Sequence, residues 1–238
     1  CTMRFLASAF LLIIIYHPAA SRTKQGPRRQ VNQFTFPTGI DSEFDLPYCA
    51  SEHTACNEVH RRFWLPVLVR RLCRCAKPSS CPYEWKSPED PFSQTLNNRF
   101  QLKFCNKVTS LDTCHSDTDG AITIRKKGIK NKRESETSTT YDLVSTELIC
   151  KCPPYHFWTL SSHGRTLNSS IRKAYKCHLM PRCGSEDVCG TIRTDYYSTY
   201  YKCTCPPDHL CLMKDREKVR AQEIHYSGKV FQGHCIPK

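Results

Sequence analysis

Apolar residues are spread unevenly along the chain, and their first concentration differs from all later ones. Phe5 to Tyr16, FLASAFLLIIIY, is a continuous apolar run that follows Met3-Arg4 and leads to Ala19-Ala20-Ser21. A basic start, a short apolar middle and small residues at the end are the three parts of a secretory signal peptide. The run is also well short of the roughly 20 residues that a membrane span needs. Residues 1–21 are therefore expected to be a signal peptide cleaved after Ser21, with Cys1-Thr2, ahead of Met3, extraneous. Beyond it the apolar stretches are short and often alternate with polar residues. Val67-Leu68-Val69, Leu143-Val144 with Leu148-Ile149, and Tyr196 to Tyr201 are β-branched, aliphatic or aromatic, and Phe100-Gln101-Leu102-Lys103-Phe104-Cys105 alternates as a half-buried strand would. Pro153-Pro154 and Pro206-Pro207 end such stretches in turns.

Cysteines organise these short strands. One block runs Cys49, Cys56, Cys73, Cys75, Cys81, Cys105, and a second runs Cys183, Cys189, Cys203, Cys205, Cys211, Cys235. Both hold a C-x-C, then five residues, a cysteine, twenty-three residues and a last cysteine, so the chain contains an internal repeat. Between them lie Cys114, Cys150, Cys152 and Cys177, the same pattern with two members missing. Where the fifth cysteine is due, six residues beyond Cys152, stands Trp158. If the other missing member is the counterpart of Cys56 and Cys189, the two lost cysteines were partners, which predicts Cys56 with Cys81 and Cys189 with Cys211. The cysteines of a C-x-C on a strand share one face and do not readily bond each other. First with third and fourth with sixth is the expected remainder, as in Cys49 with Cys73 and Cys75 with Cys105. Of the seventeen cysteines Cys1 falls within the expected signal peptide, and the remaining sixteen in a secreted chain read as disulfides; the C-x2-C and H-x3-H pairs that zinc prefers are absent. The expected fold is thus small, disulfide-rich and mainly β, with three-finger-like hairpins and C-x-C strands. Its predicted parts are a flexible basic arm or propeptide at 22–48 and cysteine modules at 49–105, 106–177 and 178–238, the second carrying a mobile basic loop at 125–140. Modules of this size bury too little apolar surface to fold firmly without staples.

Charge narrows the function. The formal net charge is +13, which in an extracellular setting suits anionic glycans, membrane surfaces and acidic receptor or channel vestibules. Nucleic acid has the right sign in the wrong compartment. Arg125, Lys126, Lys127, Lys130, Lys132 and Arg133 are the candidate target-binding residues, set against the plainer reading of a solvated polar loop. Arg61, Arg62, Arg70, Arg71 and Arg74 form a second basic cluster around an apolar stretch, and Tyr196, Tyr197, Tyr200 and Tyr201 form an aromatic one. Asn168-Ser169-Ser170 is an N-glycosylation acceptor. No G-x-S-x-G, H-E-x-x-H or phosphate loop occurs, and Asp117 to Gly120 departs from a calcium loop in glycine position and missing glutamate. Neither catalysis nor a cofactor is expected; the partner is an extracellular protein, namely an ion channel, a receptor or a growth factor.

The stretches DLPYCASEHTACNEVHRRFWLPVLVRRLCRC and CGTIRTDYYSTYYKCTCPPDHLC resemble the eleventh scoloptoxin family, cysteine-rich secreted venom proteins of centipedes, over most of residues 45–238. The resemblance implies eight disulfides and, for some members, inhibition of voltage-gated potassium channels. A weaker resemblance is to secreted antagonists of the giant-lens, or Argos, type, which clamp an epidermal-growth-factor ligand between several disulfide-rich modules.

Overall fold

A computed structural model describes residues 31–62, 65–115, 118–131, 138–166, 168 and 170–238. The expected signal peptide, the beginning of the 22–48 arm, Lys132 and Arg133 lie outside the described residues. The protein is mainly β, with thirteen strands and two single 3-10 turns among the described residues. No helix described is long and apolar enough to cross a membrane.

The strands form three sheets. Sheet I contains β1 (Gln33–Thr35), β2 (Ala55–His60), β3 (Leu68–Arg71), β4 (Ser93–Asn97) and β5 (Phe100–Phe104), in the order β1-β3-β2-β5-β4. Its β1–β3 pair is parallel and the rest are antiparallel. Sheet II contains β6 (Asp119–Asn131), β7 (Ser138–Leu148), β8 (His156–Arg165) and β9 (Ile171–Leu179), ordered β7-β6-β9-β8. Sheet III contains β10 (Val188–Arg193), β11 (Thr199–Tyr201), β12 (His209–Glu223) and β13 (Tyr226–Pro237), ordered β11-β10-β13-β12.

Eight disulfides staple these sheets. They are Cys49–Cys73, Cys56–Cys81 and Cys75–Cys105 by sheet I, Cys114–Cys150 and Cys152–Cys177 by sheet II, and Cys183–Cys203, Cys189–Cys211 and Cys205–Cys235 by sheet III. The backbone repeats with them. The residue before the first cysteine of each block bridges in parallel to the middle residue of its C-x-C: Tyr48 to Arg74, Thr113 to Lys151, Arg182 to Thr204. The cysteine itself donates its N–H to the same carbonyl, at 2.9 Å for Cys49, 3.0 Å for Cys114 and 2.9 Å for Cys183. Cys114 is thereby the first cysteine of the middle block. The second position is a bulge in every sheet, where the ladder slips at Cys56, at Cys189 and at Gly120. The carbonyl at that bulge accepts the N–H of the first C-x-C cysteine and of the residue before it, again in all three. Gly120 therefore stands where the second cysteine stood. A Cβ built on it would lie 2.7 Å from the Trp158 ring, so the indole occupies the space that a disulfide fills in sheets I and III.

Three expectations are corrected. The 22–48 arm is not free over its described part: β1 pairs with β3, Glu43 meets the Arg71 guanidinium, Arg74 donates to the Leu46 carbonyl at 2.9 Å, and Leu46 is buried. Buried Leu46 and the edge contact of half-exposed Phe34 with Tyr83 add apolar contacts to these bonds in a segment that reads as polar overall. The 125–140 segment is not a loop over its described residues, because β6 and β7 continue as a paired ladder from Ala121↔Leu148 to Asn131↔Ser138. A ladder satisfies backbone groups whatever the side-chain polarity, which is how a polar stretch becomes a hairpin. Finally, β5 is buried along its whole length rather than on one face. The loop ahead of β4 covers its other side: Gln101 exchanges hydrogen bonds with the Lys86 backbone and Lys103 reaches Asp90 at 3.4 Å.

One apolar core runs through all three sheets. Phe100 and Leu102 of sheet I, Leu148, Trp158 and Tyr175 of sheet II, and Tyr200 and Ile224 from sheet III and its hairpin turn share a single cluster, while the disulfides of sheets I and III form small satellites. Each sheet is thus too small to close alone and is completed by its neighbours.

Candidate binding cleft and buried junction

The candidate target-binding residues divide in the fold. Arg125, Lys126 and Lys127 lie on β6, and Lys130 lies at its outer end. Arg125 bonds Asp142 of β7 through Nε at 2.7 Å, and Lys127 approaches the same carboxylate at 3.6 Å. The Arg125 pair holds the Asp142 carboxyl below the ordinary carboxylate value. Two of the basic side chains thus share one neutralising partner. The second cluster is also tied down: Arg62 to the Pro66 carbonyl and Gln33, Arg70 to Glu58, Arg71 to Asn57 and Glu43, Arg74 to the Leu46 carbonyl, and Arg61 over the Trp85 ring. Of the tyrosines, Tyr200 is core, Tyr196 packs on Arg193 and His60, and Tyr197 and Tyr201 are exposed. Asn168 is exposed in the turn between β8 and β9.

A cleft not anticipated from the sequence lies where the sheets converge. It has a volume of about 680 Å³, and its walls come from β4 (Gln94 to Asn97), from the start of β8 (His156 and Phe157), and from β11 and β12 (Tyr201 and Leu210). That volume is within the range of ordinary ligand sites, roughly 300–1,000 Å³. Tyr155 at its lip is 78% exposed and holds a left-handed φ of 61°. Bulky residues rarely adopt that conformation, and where it persists it is often functional. The turn recurs in sheet III: Cys152-Pro153-Pro154-Tyr155-His156 is matched by Cys205-Pro206-Pro207-Asp208-His209, with Asp208 at φ 59°. In both turns the histidine Nδ1 bonds the second proline's carbonyl, at 3.0 and 2.9 Å. The repeated C-P-P-x-H was the sequence signal for this lip.

Beneath the cleft the sheets are joined by buried polar contacts. Gln94 donates to the Cys152 carbonyl and accepts from its N–H, both at 3.1 Å. The Tyr200 hydroxyl accepts from the Trp158 N–H and donates to the Trp158 carbonyl; burial raises this phenol well above its ordinary value. Deeper still, His225, in the turn of the β12–β13 hairpin, bonds Glu58 of β2 through Nδ1 and Thr146 of β7 through Nε2. His60 meets the other Glu58 oxygen at 3.3 Å. Burial alone would raise the Glu58 carboxyl, but His225, His60 and Arg70 hold it well below the ordinary value. Burial in turn pushes His60 down, against the pull of Glu58. Hydroxyl, imidazole and carboxylate stand here in the order of a hydrolase triad. Thr146 is 0% exposed, so no substrate reaches the hydroxyl, and the chain of bonds serves as a pin through all three sheets. Cysteine triplets within metal-ligand distance, such as Cys56, Cys75 and Cys81, consist of half-cystines and have no thiolate to offer.

This stapled three-sheet body has known counterparts. The chain is similar to scoloptoxins of the eleventh family. U-scoloptoxin(11)-Sm3a of Scolopendra morsitans is 23% identical over 192 residues, 70% of this chain and 77% of that protein. U-scoloptoxin(11)-Sm7a of the same species is 26% identical over 170 residues, 66% of this chain and 70% of that protein. No protein-family model matches. Among solved structures, that of unliganded Argos covers 89% of this chain and all of its own, with a TM-score of 0.52 and 19% sequence identity. At that identity the likeness is one of fold.

Proposed function

We propose that the chain is a secreted, toxin-like, non-catalytic protein that binds an extracellular protein target through all three sheets acting as one body, with the cleft at their junction as the contact. The observation that carries this reading is the cleft itself: its walls come from all three sheets, and a shared core with buried cross-links fixes them relative to one another. A rigid site loses little freedom on binding, and an apolar cleft with an aromatic lip suits a buried side chain of a partner.

Two target classes follow from the two likenesses. Scoloptoxin similarity and the formal charge of +13 favour the acidic extracellular face of a voltage-gated potassium channel. The fold shared with Argos over 89% of the chain favours capture of an epidermal-growth-factor-type ligand, because that likeness spans the whole body and not one module. The test takes chain purified from culture medium, assays potassium currents under voltage clamp, and measures binding to growth-factor ligands on a sensor surface. Tyr155→Asn tolerates the left-handed backbone and Leu210→Ala shortens an exposed side chain, so both fold. Whichever target responds, the double variant is expected to weaken it by at least about tenfold; full activity of that variant would remove the cleft from the function.

A further inference from the structure

Among the described residues β8 is the outermost strand of sheet II, with no strand paired beyond it. A bulge interrupts its pairing between Leu160 and Ser162, and Ser161, Ser162, His163, Gly164 and Arg165 that follow are all exposed. These five residues carry one formal cation, Arg165, and no proline. An exposed strand edge is a template for pairing with a second copy, and proteins normally blunt it with several charges, proline or a cover. The bulge and Arg165 are slight protection for an edge of this length.

Beyond Arg165, Thr166 and Ser170 are bonded to each other ahead of β9. The Thr166 N–H donates to the Ser170 carbonyl at 2.8 Å and the Ser170 N–H to the Thr166 hydroxyl at 3.3 Å. Asn168 stands exposed between the two and begins the one N-x-S/T sequence in the chain. We infer that Asn168 carries an N-linked glycan whose role is to cover the free edge of β8. The inference rests on the secreted reading, since the transferase and its donor belong to the secretory route. Asn168 Nδ2 attacks the anomeric carbon of a polyprenyl-diphosphate-linked oligosaccharide. The new C–N bond replaces the C–O bond to phosphate, the polyprenyl diphosphate leaves, and the amide proton goes to the transferase's base, with no redox change. Ser170, whose hydroxyl completes the acceptor sequence, is 4% exposed in the finished fold, so transfer precedes the docking of β9. The cleft touches β8 at His156 and Phe157, at the other end of a ten-residue strand. Roughly 30 Å of strand therefore separates sugar from cleft, and the glycan leaves target binding untouched.

The test expresses the full chain in insect cells and maps peptides from the medium before and after peptide N-glycosidase, which releases the sugar and converts Asn168 to Asp. Asn168→Gln and Ser170→Ala are expected to lose the mass shift, and Ser170→Thr to keep it. Light scattering on concentrated protein is expected to show larger species for trimmed wild type and for Asn168→Gln, but not for the glycosylated chain. Secreted chain with unmodified Asn168 overturns the site, and unchanged association after trimming overturns the shielding role. Chain retained in the cells with reduced cysteines overturns the secreted reading instead.

Discussion

Gly120 and Trp158 show how one residue pair replaces a covalent bond. The glycine leaves the space, the indole fills it, and sheet II keeps the bulge geometry of its neighbours with two disulfides in place of three. Gly120→Ala puts a Cβ against the Trp158 ring, and overpacking of this kind costs about 1–3 kcal/mol. The expected result is a lower urea midpoint with the slope unchanged. Gly120→Cys with Trp158→Cys is expected to form the missing bridge, recovering about 4 kcal/mol in the chain-entropy model while forfeiting part of the indole's burial. An unbridged double variant on a non-reducing peptide map would mean that the two positions are not counterparts. Trp158 was legible by counting six residues from Cys152. Gly120 was equally countable, since the step that leads from Cys183 to Cys189 leads from Cys114 to Gly120. That count needs Cys114 to be the first cysteine of its block, and what establishes this is a bridge between Thr113 and Lys151, residues far apart in sequence.

Among elements, the β6–β7 hairpin separates what composition reveals from what register decides. The density of lysine and arginine between residues 125 and 133 is plain in the sequence. Which of them are free is not, because Asp142 reaches Arg125 and Lys127 only through the cross-strand register Arg125↔Val144 and Lys127↔Asp142. Asp142→Ala frees both cations, so elution from heparin is expected to move to higher salt, in keeping with the screening of surface charge. Its effect on stability is expected to be below about 1 kcal/mol, as for other exposed ion pairs. Unmoved elution would show that the hairpin does not face the polyanion. The same limit explains β5: its alternation indicates one buried face correctly, while the loop that buries the other face is brought there by Cys56–Cys81, by Gln101 on Lys86 and by Lys103 on Asp90.

At the scale of the whole molecule, the Glu58–His225–Thr146 pin makes the union of the three sheets sensitive to acid. Glu58 is held below its ordinary value, so its contribution is complete above the ordinary carboxylate range and is lost as pH falls through its depressed folded value. His60 is also depressed, so between that folded value and about 6.5 the unfolded chain binds the proton and the folded chain does not. Stability therefore rises with pH across that window and falls when the solution is acidified from neutrality. Glu223, raised by burial against its bond to Thr191, acts in the opposite sense above its ordinary value. Arg70, Arg193, Asp195 and Tyr196 are the other charged or titratable groups that bear on Glu58 and His60. Urea midpoints for the wild type are expected to fall between pH 7 and 5, and those for His60→Gln, which keeps an amide near Glu58, to be flatter over that range. Glu58→Gln breaks a buried charged contact and is expected to cost about 3 kcal/mol or more at neutral pH. If the sheets were independent modules, that loss would appear as an early transition of sheet I alone, with the others unfolding as before. Because Leu102, Trp158 and Tyr200 share one core, a single cooperative transition displaced as a whole is the expected outcome, and a split transition would remove the physical basis for a cleft held rigid by all three.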